Sequence, residues 1–446
     1  MTLPCVCLDV GSGWIKALGI DADGEPIGAA THLTTPDDLL AGVRAAAMAA
    51  QAVGADEVIP VGRAGWDTEL LACSSAGGGL RLAVVGRDTL AATDAGHRVA
   101  CSAGARVVHV QAGELEPAGV RAMRASRPDV VLLLGGPGVG GDAERVLLAN
   151  ASRLARARFR APIVLAASAG VRAEAAALLA GTGRTVVPVD AVLPEPGVIV
   201  AEPARAAITG LLAKHLVGGR GSVTTARFRR LAGTTTPAAV TGGLAELVRL
   251  RGSDGRESDG GAVMVIDVGS STTDVYSVTP DGVCASTVEA DLGMRLTAPG
   301  ILTEGQAQAV VDPMEADLLL PTVQRLAEDT GFLPEDSGAQ AEDRRLAALS
   351  AVLAARRHLR VVGKPLRNAG VGLVVLTGGV FRQPDSAGLA AVRDTLRGDE
   401  VLRELLGSTP VAVDDGFALA PAGLLAAAGH ARAARTVLDT AIAPYG

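Results

Sequence analysis

The stretch Asp267-Val268-Gly269-Ser270-Ser271-Thr272-Thr273-Asp274 decides how this chain is read. It follows the apolar run Val263 to Ile266 and precedes Val275-Tyr276-Ser277-Val278. That pattern is strand, tight polar turn, strand. Gly269 lets the backbone approach a ligand closely. The hydroxyls of Ser270, Ser271 and Thr272, with the backbone N–H groups of the turn, can wrap a phosphate. Asp267 and Asp274 flank the turn and are hard oxygen ligands of the kind that hold Mg2+ directly or through water.

A second turn of this kind opens the chain. Val6-Cys7-Leu8 leads into Asp9-Val10-Gly11-Ser12-Gly13-Trp14-Ile15-Lys16, followed by Ala17 to Ile20. One D-x-G-S motif is weak evidence, since an ordinary hairpin turn can carry it. Two copies in matched strand contexts predict two related halves with a phosphate-bearing ligand held between them. The candidate binding residues are Asp9, Gly11, Ser12, Gly13 and Lys16 on the first turn, and Gly269, Ser270, Ser271 and Thr272 on the second. Asp9 and Asp267 are the candidate metal carboxylates. Lysine occurs only at positions 16, 214 and 364 among 41 basic residues, so a lysine in the first turn suggests a point charge for phosphate.

At 446 residues, with 48% hydrophobic and 20% charged residues, two or three folded domains are expected. A net charge of −7 and an aromatic content of 2% argue against a nucleic-acid surface, which needs basic patches and stacking rings. No apolar run is long enough to span a membrane, and the N-terminus lacks a basic, then apolar, export signal. Five scattered cysteines suggest free thiols in a reducing cytoplasm.

Helical spacing covers residues 37–53, and short strands are expected at 58–62 and 80–85. From 86 to 190 strands and helices alternate, which predicts an inserted parallel sheet with helices on both faces. Gly136 to Gly141 matches G-x-G-x-x-G, but the acidic residue expected at the end of the next strand is missing, so a tight strand–helix turn is the favoured reading there, with a phosphate site as the alternative. His109 is read as a core or turn histidine. Pro203 suits the first turn of a helix running to about 216. Glu202 before it is either a cap or a catalytic carboxylate, and spacing leaves both open. A further helix is expected at 237–250. A strand at 372–376 ends in Thr377-Gly378-Gly379, a glycine pair on which a purine or ribose can lie. A last strand, 411–413, precedes a helix from 417 to 433.

Taken in order, these pieces resemble the actin, sugar-kinase and Hsp70 ATPase superfamily. Asp9 to Lys16 is similar to its first phosphate loop, Asp267 to Asp274 to its second, and Thr377-Gly378-Gly379 to its adenosine motif. Ile199 to Ile208 is similar to the connecting helix of Hsp70 chaperones, which implies a role for Glu202 near the attacking water. A narrower resemblance covers nearly the whole chain. The loop at 74–79, the insert, Ala201-Glu202-Pro203-Ala204-Arg205 and Val288 to Arg295 resemble the MutL-type glutamate (methylaspartate) mutase accessory proteins, which are unrelated to the mismatch-repair protein of that name.

The superfamily resemblance implies duplicated actin-like (ribonuclease H-like) α/β domains. The expected divisions are 1–85 for the first part of domain I, 86–190 for the insert, 191–217 for a connecting helix, 218–415 for domain II and 416–446 for a closing helix. The resemblance also implies ATP and Mg2+ in the cleft, with Asp274 as the alternative to Glu202 for orienting water. The narrower one implies an ATP-driven reactivating chaperone whose partners are the subunits of an adenosylcobalamin-dependent mutase. The D-x-H-x-x-G signature of cobalamin carriers is absent from the sequence. Alternatives are a small-molecule kinase, an actin-like scaffold and an ATP-coupled amidohydrolase subunit.

Overall fold

The computed structural model describes residues 4–35, 38–52, 69–75, 80–87, 95–96, 99, 103, 105–135, 141–157, 160–181, 183–195, 200–218, 231–253, 261–381 and 386–445. The chain divides into two compact units, one formed by Met1–Gly77 with Arg220–Gly446, the other by Gly78–Gly219.

The first unit holds two sheets built on one plan. In the first sheet, β1 (Cys5–Val10), β2 (Trp14–Ile20) and β3 (Pro26–Leu33) form an antiparallel meander. On the other side of β1 lie two parallel strands, β4 (Glu69–Ser74) and β10 (Ala232–Thr235). In the second sheet, β11 (Ala262–Val268), β12 (Thr273–Val278) and β13 (Cys284–Glu289) form the meander. β14 (Val371–Thr377) and β15 (Val411–Asp414) add in parallel, and β16 (Ile442–Tyr445) closes the edge antiparallel to β15. Both sheets therefore have the 3-2-1-4-5 order of the ribonuclease H-like fold, and the unit is an actin-like duplication.

Helices follow the hydrophobic pattern onto these sheets. α1 (Leu39–Ala52) buries Val43, Ala46, Ala47 and Ala50 against Val6, Leu8 and Val10. After the last parallel strand of each sheet comes a helix, α6 (Thr236–Ser253) after β10 and α12 (Leu419–Ala427) after β15. These two pack on one another and share a core with Cys7, Leu18, Val265 and Tyr276. Their backbones touch. A Cβ on Gly243 would lie 1.9 Å from the Leu419 carbonyl oxygen, and one on Gly423 1.9 Å from that of Ala239.

The second unit is a fully parallel sheet in the order β6-β5-β7-β8-β9. Its strands are β5 (Leu80–Gly86), β6 (Ala105–Ala112), β7 (Val130–Leu134), β8 (Ile163–Ala166) and β9 (Val186–Val189). Side chains alternate between two cores. Leu82, Val84, Leu132 and Val164 face one, with α5 (Glu202–Gly218), and Ala83, Val85, Leu133 and Leu165 face the other. α3 (Asp142–Arg156) and α4 (Ala169–Ala180) cover that second face; α2 (Pro117–Ala125) contributes Met123 there.

The expected parallel insert is present, but its limits differ. β5, placed by sequence in domain I, is the second strand of the insert's sheet. α5, read as the connecting helix, packs through Ala204 and Ile208 on the same sheet. The helix that follows the last strand of the first sheet is instead α6, and residues 232–235, assigned to domain II, pair with β4. The closing segment is not one helix. α12 ends at Ala427, Gly429 takes φ +87, and α13 (Ala431–Ala441) then leads into β16. The expected strand at 58–62, most of the helix at 88–103 and the glycine run 136–140 lie outside the described residues.

Candidate functional site

The two D-x-G-S turns are geometrically matched. Gly11 N–H donates to Trp14 O and Gly269 N–H to Thr272 O, each at 2.9 Å. A Cβ on Gly11 would meet Trp14 O at 2.8 Å, and one on Gly269 would meet Thr272 O at 2.9 Å. Each turn is closed too tightly for a side chain, which is why glycine stands third in both. The first turn is held from outside by Thr34, whose hydroxyl donates to Gly11 O at 2.8 Å. The second rests on the 293–295 segment, where Met294 N–H and Arg295 N–H donate to Gly269 O and Ser270 O. The turns meet: Ser12 Oγ donates to Ser271 Oγ at 2.7 Å.

Around them lies a cavity of about 940 Å3, within the range of small-molecule and cofactor sites. Its wall includes Asp9, Gly11, Ser12, Gly13 and Lys16 from the first turn. Asp267, Gly269, Ser270, Ser271, Thr272 and Asp274 come from the second, with Gly378 and Gly379 from the end of β14. Thr377 is one step deeper, paired in register with Asp267 and donating to Asp414 Oδ2. Gly378 has φ +128, and a Cβ there would strike Val268 O at 2.2 Å, so glycine is required. Arg295, Asp343, Arg344, Gln340 and Leu333 continue the wall. Sequence reasoning did not single these out, since they come from loops and from α9 (Ser337–Ala369).

The register makes the site asymmetric. Asp9 stands opposite Lys16, and Asp267 opposite Asp274. One half of the duplication thus offers a cation where the other offers an acid. Lys16 Nζ lies 3.5 Å from Asp9 Oδ2 and 4.4 Å from the centre of the Phe417 ring. Burial opposes its charge, but Asp267, Asp9 and Asp414 outweigh that and hold its pKa above the ordinary value.

The carboxylates differ in their engagement. Asp9 Oδ1 accepts from Thr236 Oγ1 at 2.6 Å and faces Cys73 Sγ at 3.6 Å. Asp267 Oδ1 and Asp274 Oδ1 are buried and have no hydrogen-bond partner among the described residues. Burial raises Asp267, with Lys16 opposing. Burial and the neighbouring Asp267 push Asp274 up to about 7, against the pull of the nearby Thr272 and Tyr276 hydroxyls. Asp414, raised by burial to about 6, accepts from Ala418 N–H and Leu419 N–H and so caps α12.

This donor set suits a magnesium nucleotide. It offers a cation, turns with close-approach glycines and four hydroxyls for phosphate, and a buried Asp267 oxygen with no hydrogen-bond partner among the described residues. Among the described residues no cluster of three or more His, Cys, Asp or Glu could hold a metal by itself, so a divalent ion here would depend on one or two carboxylates together with phosphate oxygens. Glu202 opens α5 in the second unit, is 60% exposed at the side chain, and pairs with Arg205 at 2.6 Å. Among the described residues no helix is long and apolar enough to cross a membrane.

The family model described as "MutL protein" matches residues 5–442. "Protein MutL" of Clostridium tetanomorphum is 30% identical over 408 residues, which are 84% of this chain and 85% of that protein. Among solved structures, a ROK family glucokinase from Streptomyces griseus in complex with glucose and AMPPNP is 12% identical. That match covers 98% of this chain and 99% of the kinase, with a TM-score of 0.34. An archaeal actin homologue is 13% identical, covering 96% of this chain and 99% of its own, with a TM-score of 0.30.

Proposed function

The chain belongs to the MutL protein family, and from that membership and its cleft we propose that it is a Mg-ATP-hydrolysing accessory protein. Its task in this reading is to reactivate an adenosylcobalamin-dependent glutamate mutase. The observation that carries the ATPase part is the pair of matched glycine turns, brought into contact through Ser12 and Ser271 around one cavity.

ATP lies with its phosphates between the two turns. The N–H groups and hydroxyls of Ser12, Ser270, Ser271 and Thr272 bind phosphate oxygens, and Lys16 adds positive charge. Mg2+, bound with the nucleotide, would neutralise phosphate charge, and Asp267 and Asp9 are the carboxylates that would hold it. Thr377-Gly378-Gly379 supports the adenosine. Asp274 accepts the proton of the attacking water. The water oxygen bonds to the γ-phosphorus, and the bond from that phosphorus to the bridging oxygen breaks. Its electron pair stays on ADP, and inorganic phosphate leaves. Loss of the γ-phosphate removes the group that bridges the turns, so they can separate. That motion would prise on a bound mutase and release a damaged cofactor.

The test is phosphate release from Mg-ATP by the purified chain, with and without a glutamate mutase, beside Asp267→Ala, Asp274→Asn and Glu202→Ala. We expect release that rises with the mutase, is abolished in Asp267→Ala, and falls about a hundredfold in Asp274→Asn with nucleotide affinity kept. If Glu202→Ala shows that last behaviour instead, the family resemblance of its segment has located the base. Transfer of phosphate to a metabolite with negligible hydrolysis would replace the reading with a kinase.

A further inference from the structure

Tyr276 is one of two tyrosines in the chain. It sits two residues beyond Asp274 on β12, so the two side chains emerge on the same face, about 6.7 Å apart along the strand. The phenol is fully buried in the core shared by the two sheets with α6 and α12. A buried phenol needs a hydrogen-bond acceptor. Tyr276 spans the gap back to the turn, and its hydroxyl donates to Asp274 Oδ2 at 2.9 Å. Asp274 is 7% exposed and lines the cavity, and its other oxygen, Oδ1, has no partner among the described residues.

We propose that Tyr276 is a positioning residue: it clamps Oδ2 of Asp274 and leaves Oδ1 as the oxygen that takes the proton of the attacking water. This rests on the ATPase reading of the cleft. Without that bond, rotation about the Cβ–Cγ bond of Asp274 could exchange its two oxygens. A buried hydrogen bond to one oxygen fixes the rotamer before ATP arrives, at no reorganisation cost during the reaction. The ring itself is wedged among residues of the interior, so the hydroxyl has a fixed origin. The opposite half of the duplication lacks such a clamp because its residue at the matching register position is Lys16.

The experiment compares phosphate release by wild type, Tyr276→Phe, Asp274→Asn and the double variant, with Mg-ATP affinity and Tm measured for each. Tyr276→Phe should lower kcat about tenfold, with KM and affinity for ATP held within about twofold. In the Asp274→Asn background the same substitution should leave kcat unchanged, because a residue that acts through another loses its effect when that partner is gone. A wild-type kcat in Tyr276→Phe, or an equal loss in both backgrounds, overturns the inference while the ATPase reading stands. No phosphate release by wild type, with or without the mutase, sinks both. Where Tyr276→Phe does not fold, 3-fluorotyrosine placed at position 276 in a Tyr445→Phe chain gives the second reading. Its 19F resonance should move on Asp274→Asn, and an unmoved resonance overturns the clamp.

Discussion

Asp274 shows what a cleft residue costs the fold that carries it. Its carboxyl is pushed up to about 7 by burial and by Asp267. In the unfolded chain an aspartate ionises near 3.9. Between those values the folded state binds the extra proton, so stability is present below the lower value and declines as pH rises to about 7. Above that, the fold holds a buried anion. Asp274→Asn should therefore stabilise the nucleotide-free protein at pH 8 by an amount on the order of 4 kcal/mol and raise its Tm, and do little at pH 4. Thermal melts of both proteins across that range check it, and an equal shift at both pH values would mean that ionisation is not the cause. Most of these residues were legible beforehand, because D-x-G-S followed by Thr-Thr-Asp is dense in groups that phosphate chemistry needs. Tyr276 was not: in sequence it is one aromatic residue in a buried strand, and only the fold brings its hydroxyl to a carboxylate.

At the level of elements, α6 and α12 cross with their backbones in contact. A Cβ at Gly243 would sit 1.9 Å from the Leu419 carbonyl oxygen. Gly243→Ala should cost about 3 kcal/mol. Gly252→Ala, on the same helix with nothing within 4 Å, should be neutral or stabilise by up to about 1 kcal/mol. Denaturant melts of the two variants separate the cost of crowding from helix propensity, and equal stabilities would show that the helices do not cross so closely in solution. The misplaced connecting helix belongs at this scale as well. Glu202-Pro203 and Thr236-Pro237 each carry a helix-start signal, and sequence favoured the one with a carboxylate. What distinguishes them is β10, four residues of Ala-Gly-Thr-Thr with no strand-forming pattern beyond its last two positions. It is a strand because β4 offers it a parallel edge, a pairing that local sequence does not encode. β16 escaped notice for the same reason, as its edge is supplied by β15.

For the molecule as a whole, the two units have separate cores and separate sheets, and each sheet takes all its strands from one unit. The second unit was legible as a parallel α/β insert because its central strands β5, β7 and β8 carry continuous apolar runs buried on both faces, spaced by helical periodicity. Its edges were not, since β5 and α5 have the same local signals as the elements of the other unit. A segment that owns its sheet and both covering layers should fold by itself. Residues 78–219 expressed alone should therefore give an α/β circular dichroism spectrum and one cooperative transition. The described residues that line the cavity of Asp9, Lys16, Asp267 and Asp274 are residues of the other unit. Mg-ATP should accordingly raise the Tm of the full chain and leave that of the isolated segment unchanged within error, since only a state that binds the ligand is stabilised by it. Scanning calorimetry with and without Mg-ATP reads both. A nucleotide-dependent shift in the isolated segment would move the binding site to the parallel sheet and remove the two glycine turns from the centre of the mechanism.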